Sequence, residues 1–195
     1  MSQEGAEGRA GSALKTGIAR VGFRPDAAGT IWKDGSFWSD CWREAPAEGP
    51  LPEGPVIVSK RRWLADREAL AASSAPLGLR LEPGEELDEL AGELARFQLI
   101  ALSFPTYSDG RAFSTARLLR EKYGYAGELR AVGNVLNDQI AFMRRVGFDT
   151  LAVTHEPTRR ALVEKRIAQV TLHYQPTGVS EPSAGKRPWL RRAPA

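Results

Sequence analysis

Residues 99–153 read LIALSFPTYSDGRAFSTARLLREKYGYAGELRAVGNVLNDQIAFMRRVGFDTLAV, and the fold class follows from their pattern. Short apolar runs alternate in it with helical patterns, the form that parallel β-α-β units take in a sequence. A strand over 99–103 ends at Phe104-Pro105, and a helix follows over 112–122. A second strand over 128–133, with Gly124 and Gly127 around the turn before it, passes through Gly133 into a helix whose Ile140, Phe142, Met143 and Val146 face the sheet. Gly147 is a natural C′ residue that turns the chain into a third strand over 149–153.

The same alternation extends outward on both sides. Upstream, the strand VIVS (56–59) leads to a helix over 60–72, with Ser59 as its N-cap and Trp63, Leu64 and Leu70 at helical spacing. LGLRL (77–81) is a strand with Arg80 facing away from its leucines, closed by Pro83-Gly84. A second helix then begins with Glu85, Glu86 and Asp88, acids that complement the dipole, and carries Leu87, Leu90 and Leu94 on one face. Downstream, 154–157 (THEP) opens a helix to about residue 168, and VTLHY (170–174) alternates as the last strand. Six strands and five helices over 56–175 predict an α/β fold with a mostly parallel sheet, either open or curled into a partial barrel; periodicity does not separate the two.

Ahead of this unit, 30–43 (TIWKDGSFWSDCWR) places Asp34-Gly35 between apolar pairs, a strong short-range hairpin signal. The Pro- and Gly-rich 44–55 reads as a linker. The organisation expected is therefore a disordered lead over 1–29, a β-hairpin and linker over 30–55, an α/β domain over 56–176 and a basic disordered tail over 177–195.

Composition narrows the function classes. The chain has 195 residues, 42% hydrophobic and 26% charged, enough for one sizeable core, and no apolar run approaches the roughly 18 residues of a membrane span. The N-terminus lacks the apolar core of a secretory signal, and the single Cys41 permits no internal disulfide. A cytoplasmic protein is expected. The net charge of +3 is matched by the excess of the tail, which holds Lys186, Arg187, Arg191 and Arg192 against one acid. The rest is nearly balanced, so nucleic acid is not the expected partner.

Two sets of residues carry candidate chemistry. The loop before the helix at 112 offers Ser108, Asp109, Gly110 and Arg111, where helix amides favour an anion and a guanidinium can grip a carboxylate, phosphate, sulfate or sulfite. Gly133, Asn134 and Asp138 form a similar strand-glycine-helix arrangement. The plainer readings are a helix cap with Arg111 paired to an acid, and an asparagine cap at 134 or 137. The second set is a docking surface: Trp32 and Trp38 of the hairpin, Lys60, Arg61 and Arg62 at the wrong end of a helix dipole for cations, and Arg144 and Arg145. Packing of the tryptophans onto the domain and solvation of the cations are the alternatives. His155, at a strand's C-terminal end, offers a general acid or base, or a surface loop residue; His173 reads as structural. Neither histidine has ligands at metal spacing, so no metal is expected. The sequence has no P-loop, no G-x-G-x-x-G, no C-x-x-C and no nucleophile elbow.

The run over 108–153, together with IWKDG, PVIVSKRRWLADREAL and VTLHYQPT, resembles bacterial domain-of-unknown-function family 934 across about 31–176. The matched pattern includes Asp109, Gly110, Arg111, Arg117, Leu118, Arg120, Tyr123, Gly124, Gly127, Arg130, Gly133, Asp138, Gln139 and Gly147-Phe148-Asp149. Members usually carry Gly-Asp-Val where this chain has Gly133-Asn134-Val135, and often a lysine or arginine near Thr106. The family is commonly encoded beside sulfite reductase, and its members are described as oxidoreductases of sulfite reduction. A cubane cluster takes four thiolates and a dinucleotide its glycine fingerprint, whereas this chain has one cysteine and no such motif. The resemblance therefore implies an accessory protein of assimilatory sulfite reduction and cysteine biosynthesis, without a redox cofactor, docking sulfite reductase or its electron donor. A small enzyme or sensor holding an oxyanion at Asp109–Arg111 is the alternative.

Overall fold

The computed structural model describes residues 29–167. The strand expected over 170–174, with His173, lies outside the described residues, as do residues 1–28 and the basic tail. Thr30–Lys33 (β1) and Ser36–Ser39 (β2) form the antiparallel hairpin, turned at Asp34 and Gly35 with φ of 48° and 79°. Two successive left-handed residues match the strand twist, which is why Asp-Gly is favoured there.

Arg43–Glu44 (β3) pairs in parallel with Val56–Ser59 (β4), followed in parallel by Leu77–Leu81 (β5), Leu99–Phe104 (β6), Glu128–Gly133 (β7) and Thr150–Leu151 (β8). The hairpin closes the series through antiparallel pairing of β1 with β8, so one mixed sheet of eight strands runs β2-β1-β8-β7-β6-β5-β4-β3. The fold class expected from the sequence is borne out, with the sheet open but curled. The curl follows from chain length. β2 and β3 lie at opposite ends of the order, which in a flat sheet would be about 34 Å apart at the usual strand spacing. Only residues 40–42 connect them, and the four Cα steps from Ser39 to Arg43 reach at most about 14 Å. The two edges must bend toward one another.

This curvature gives the sheet two unlike faces. Val56, Val58, Leu77, Leu79, Leu81, Ile100, Leu102, Leu129 and Ala131 point outward into one cluster with Trp63, Leu70, Ala116, Leu119, Ile140 and Met143 from the covering helices. Burial of each large side chain there contributes about 1.5–3 kcal/mol. The inner face holds a smaller cluster of Ile57, Leu99 and Ala101 against half-buried Trp42 and Val132. Trp42 can lie there because Gly78 presents no side chain; a Cβ would come within 3.1 Å of Ile57 and 3.2 Å of Leu99 and Trp42.

The helices are Lys60–Ala65 (α1), Arg67–Ala72 (α2), Arg111–Glu121 (α3), Asn137–Arg145 (α4) and Glu156–Val163 (α5). Ser59 caps α1 as expected, accepting the Arg62 backbone N–H at 3.2 Å. Two expectations need correction. The helix predicted over 60–72 breaks at Asp66, whose φ of −112° and ψ of 25° leave the helical region. The acidic helix predicted after Gly84 is instead two single 3₁₀ turns, Asp88–Leu90 and Leu94–Arg96. Leu87, Leu90 and Leu94 are all buried. Spacings of three and four residues bury equally well from separate tight turns, and Gly92 between them disfavours a continuous helix. The linker expected from residue 44 also yields its first residue to β3.

Candidate functional site

Loops that follow parallel strands gather at one edge of the sheet, and the loop from β6 to α3 is the most polar of them. In it Arg111 turns back on Asp109: Nε donates to Oδ1 at 3.0 Å and Nη2 to Oδ2 at 2.6 Å, while the Arg111 backbone N–H reaches Oδ1 at 3.2 Å. Those hydrogen bonds hold the Asp109 carboxyl below the usual carboxylate range and raise the guanidinium further. The guanidinium thus already carries a bidentate carboxylate. An external oxyanion has to displace Asp109 to take the same grip. Ser108 Oγ lies 3.3 Å from Thr106 Oγ1, and Gly110 occupies the N-cap without a side-chain bond.

Gly133, the second loop's signature, is explained by packing. Its φ is 93°, and a Cβ would stand 2.5 Å from the Phe104 carbonyl oxygen, which accepts the Asn134 N–H at 2.7 Å. Close approach of β7 to the end of β6 demands glycine there. Asp138 is exposed in the first turn of α4, where an acid suits the dipole. Gln139 Nε2 donates to the Tyr107 carbonyl at 2.8 Å and draws the two loops together. The residues expected for anion binding are therefore neighbours along one edge, with the charge of Arg111 internally matched.

The expected docking residues are divided. Lys60 and Arg62 are buried: Lys60 Nζ donates to the Glu86 carbonyl at 2.7 Å and pairs with Glu89 at 3.2 Å, while Arg62 bonds the carbonyls of Pro46 and Gly49 and pairs with Asp66 at 3.3 Å. They fasten the segment after β3 and the 3₁₀ turns to α1. Only Arg61 of the three is exposed. Trp32 is buried, with the Arg144 guanidinium 5.8 Å from its ring centroid, and Trp38 is half-buried, donating to the Lys33 carbonyl at 3.2 Å. Arg145 stacks toward Phe142 at 5.8 Å.

Trp32 and Arg144 do meet, at the opposite edge of the sheet, where the strands begin. There a cleft of about 450 Å³ is lined by Trp32, Lys33, Asp34, Glu128, Arg144 and Asp149, among others. Two of its three acids are neutralised from behind: Glu128 pairs with Arg130 at 2.9 Å and Asp149 with Arg120 at 2.6 Å. Lys33 and Arg144 have no ion pair among the described residues, so the cleft presents cations beside an aromatic wall. Lys33, the last residue of β1 before the Asp34-Gly35 turn, carries no functional signal in the sequence; tertiary folding alone sets it beside Arg144.

Other charged groups are tied together on the inner face. Arg130, 1% exposed, binds Asp40 at 2.7 Å and Glu128, and Thr150 Oγ1 donates to Glu128 at 2.6 Å. Arg80 spans three strands, pairing with Glu44 and Glu82 at 2.9 Å each; burial disfavours its charge, and the two carboxylates more than offset this. The alternation of Arg80 against the LGLRL leucines, which sets it on the face opposite theirs, is its one sequence signal. Half-buried Cys41 has its thiol pushed up by burial and by Asp40, which lowers its thiolate fraction. Among the described residues no three His, Cys, Asp or Glu side chains are grouped to hold a metal ion, and no helix is long and apolar enough to cross a membrane.

A family model described as bacterial protein of unknown function matches residues 78–184. No curated protein matches the chain.

Proposed function

The chain belongs to the DUF934 family of bacterial proteins, and on that premise we propose that it is an accessory protein of assimilatory sulfite reduction, docking sulfite reductase or its electron donor in the cytoplasm and carrying no electrons itself. The observation that carries this reading is the cleft at the start of the strands, where Trp32, Lys33 and Arg144 converge and the neighbouring acids Glu128 and Asp149 are already paired. Cations with no ion pair among the described residues, one of them held over an aromatic wall, suit an acidic segment of a protein surface, since their charge is available for steering and for pairing. One cysteine in the whole chain supports the non-redox role, because neither an iron-sulfur cubane nor a dithiol couple can be built from it. The family's association with sulfite reductase supplies the partner.

The test uses the full chain with purified sulfite reductase and, separately, its electron donor. Lys33→Glu with Arg144→Glu is expected to lower affinity by about a hundredfold or more, the scale of losing two charge-assisted contacts, and to do so less at high salt. Binding that survives both reversals unchanged removes this cleft as the docking surface. Failure of the unmodified protein to bind either partner overturns the proposed function.

A further inference from the structure

The lining of the docking cleft holds two cations, Lys33 and Arg144, against three carboxylates, Asp34, Glu128 and Asp149, so by itself it is acidic on balance. Two guanidiniums outside the lining reverse that sign. Arg130 divides its charge between Glu128 at 2.9 Å and Asp40 at 2.7 Å. Arg120 has Asp149 as its one carboxylate among the described residues, at 2.6 Å, so its whole charge is set against one acid of the cleft. The groups left without an ion pair are Lys33, Arg144 and Asp34, an excess of one positive charge. Release of Asp149 would cancel that excess.

Arg120 has no donor left for a partner. Its Nε and Nη2 donate to the Gly147 carbonyl at 3.1 and 2.9 Å, its Nη1 to the carbonyls of Tyr125 at 2.6 Å and Gly127 at 2.9 Å, and its Nη2 also to Asp149 Oδ2 at 2.6 Å. Those bonds use all five N–H groups of the guanidinium. They join the segment before β7 to the segment before β8, and Gly127 and Asp149 of these segments line the cleft. Gly147 lets the arginine lie flush on the backbone, since a Cβ there would stand 2.7 Å from Arg120 Cγ. The Leu129 N–H donates to the same Asp149 oxygen at 2.8 Å, so an asparagine can accept both bonds without carrying the charge. We propose that Arg120 is the positioning residue that makes the docking cleft select an acidic segment: it withdraws the Asp149 carboxylate from the partner and fixes the two loops that carry Gly127 and Asp149. This inference rests on the docking function proposed above and adds to it the residue that sets the sign of the surface.

The experiment measures binding of the full chain to purified sulfite reductase and to its electron donor, at low salt and at about 0.5 M salt. The unmodified protein is compared with Asp149→Asn, Arg120→Gln and the double variant. Asp149→Asn bares the Arg120 charge and is expected to tighten binding about threefold or more at low salt, whereas Arg120→Gln bares the Asp149 carboxylate and is expected to weaken it about tenfold or more. The double variant carries neither charge. It should regain most of the lost affinity while its melting temperature stays below that of the unmodified protein, because the three carbonyls still lack their clamp. High salt should shrink all of these differences. A purely structural Arg120 gives another pattern, with the double variant as weak as Arg120→Gln and no tightening by Asp149→Asn. Either of those results, or differences that persist at high salt, overturns the proposal and leaves docking by the unmodified protein standing. Should Arg120→Gln fail to fold, Asp149→Asn decides alone. Absence of binding by the unmodified protein overturns the docking function and this inference with it.

Discussion

Gly133 shows how much a single residue can be asked to do. An L residue there would hold φ at 93° and set its Cβ 2.5 Å from a backbone oxygen that has no freedom to withdraw. Gly133→Ala is accordingly expected to destabilise the protein by about 3 kcal/mol, the sum of left-handed strain and steric displacement. Gly124 gives the control: its φ is 61° and nothing lies within 4 Å, so Gly124→Ala should cost about 1 kcal/mol. Urea denaturation of both variants checks this, and equal midpoints would refute the packing account of Gly133. From the sequence the same glycine suggested a phosphate grip, because a residue's type shows that an unusual backbone is possible but not what requires it. Asp109 and Arg111 repeat the lesson, since two side chains suited to ligands are equally suited to each other when two residues apart.

Among the elements, β7 carries the charge that ties the curled sheet together. Arg130 projects from its middle onto the inner face and binds Asp40, the residue that begins the short crossing from β2 to β3. Arg130→Leu leaves the half-buried carboxylates of Asp40 and Glu128 without their shared cation, so a loss of about 3 kcal/mol, the lower end of the range for a broken buried pair, is expected. Replacing Asp40, Glu128 and Arg130 together by apolar residues should recover most of it, since the cost lies in uncompensated charge rather than in the absence of the pair. Chemical denaturation of the single and triple variants makes the comparison, and a triple variant no more stable than the single one would contradict this. Strands are the elements most legible in the sequence: β5 and β7 occupy the expected residues, because consecutive inward and outward alternation is local. The helices expected at 60–72 and after residue 84 are less legible. Their leucine spacing satisfied a helix, yet the same burial is reached with a break at Asp66 and with two 3₁₀ turns.

For the molecule as a whole, the hairpin and β3 are parts of the one sheet, at its two ends. β1 completes the pairing of β8, and Trp42 covers the inner face. A chain beginning at Val56 would expose the edge of β8, remove Trp32 and Phe37 from the main core and leave Arg130 without Asp40. Such a truncation is expected to lose the near-ultraviolet circular dichroism and the cooperative urea transition of the full protein, and a cooperatively folded 56–195 fragment would show that the hairpin is dispensable. The alternation of strands and helices, the hairpin turn at Asp34-Gly35, the mostly parallel sheet and the family are all legible from residue order, because periodicity, turn chemistry and motif spacing are properties of neighbouring residues. Tertiary structure alone decided that the sheet curls, that Lys60 and Arg62 are internal, that Lys33 meets Arg144, and that Arg120 joins the segments before β7 and β8. Each of these joins residues from separate elements, and their meeting is set by the short crossing at 40–42 and by the packing of helices on a bent sheet, which no local pattern encodes.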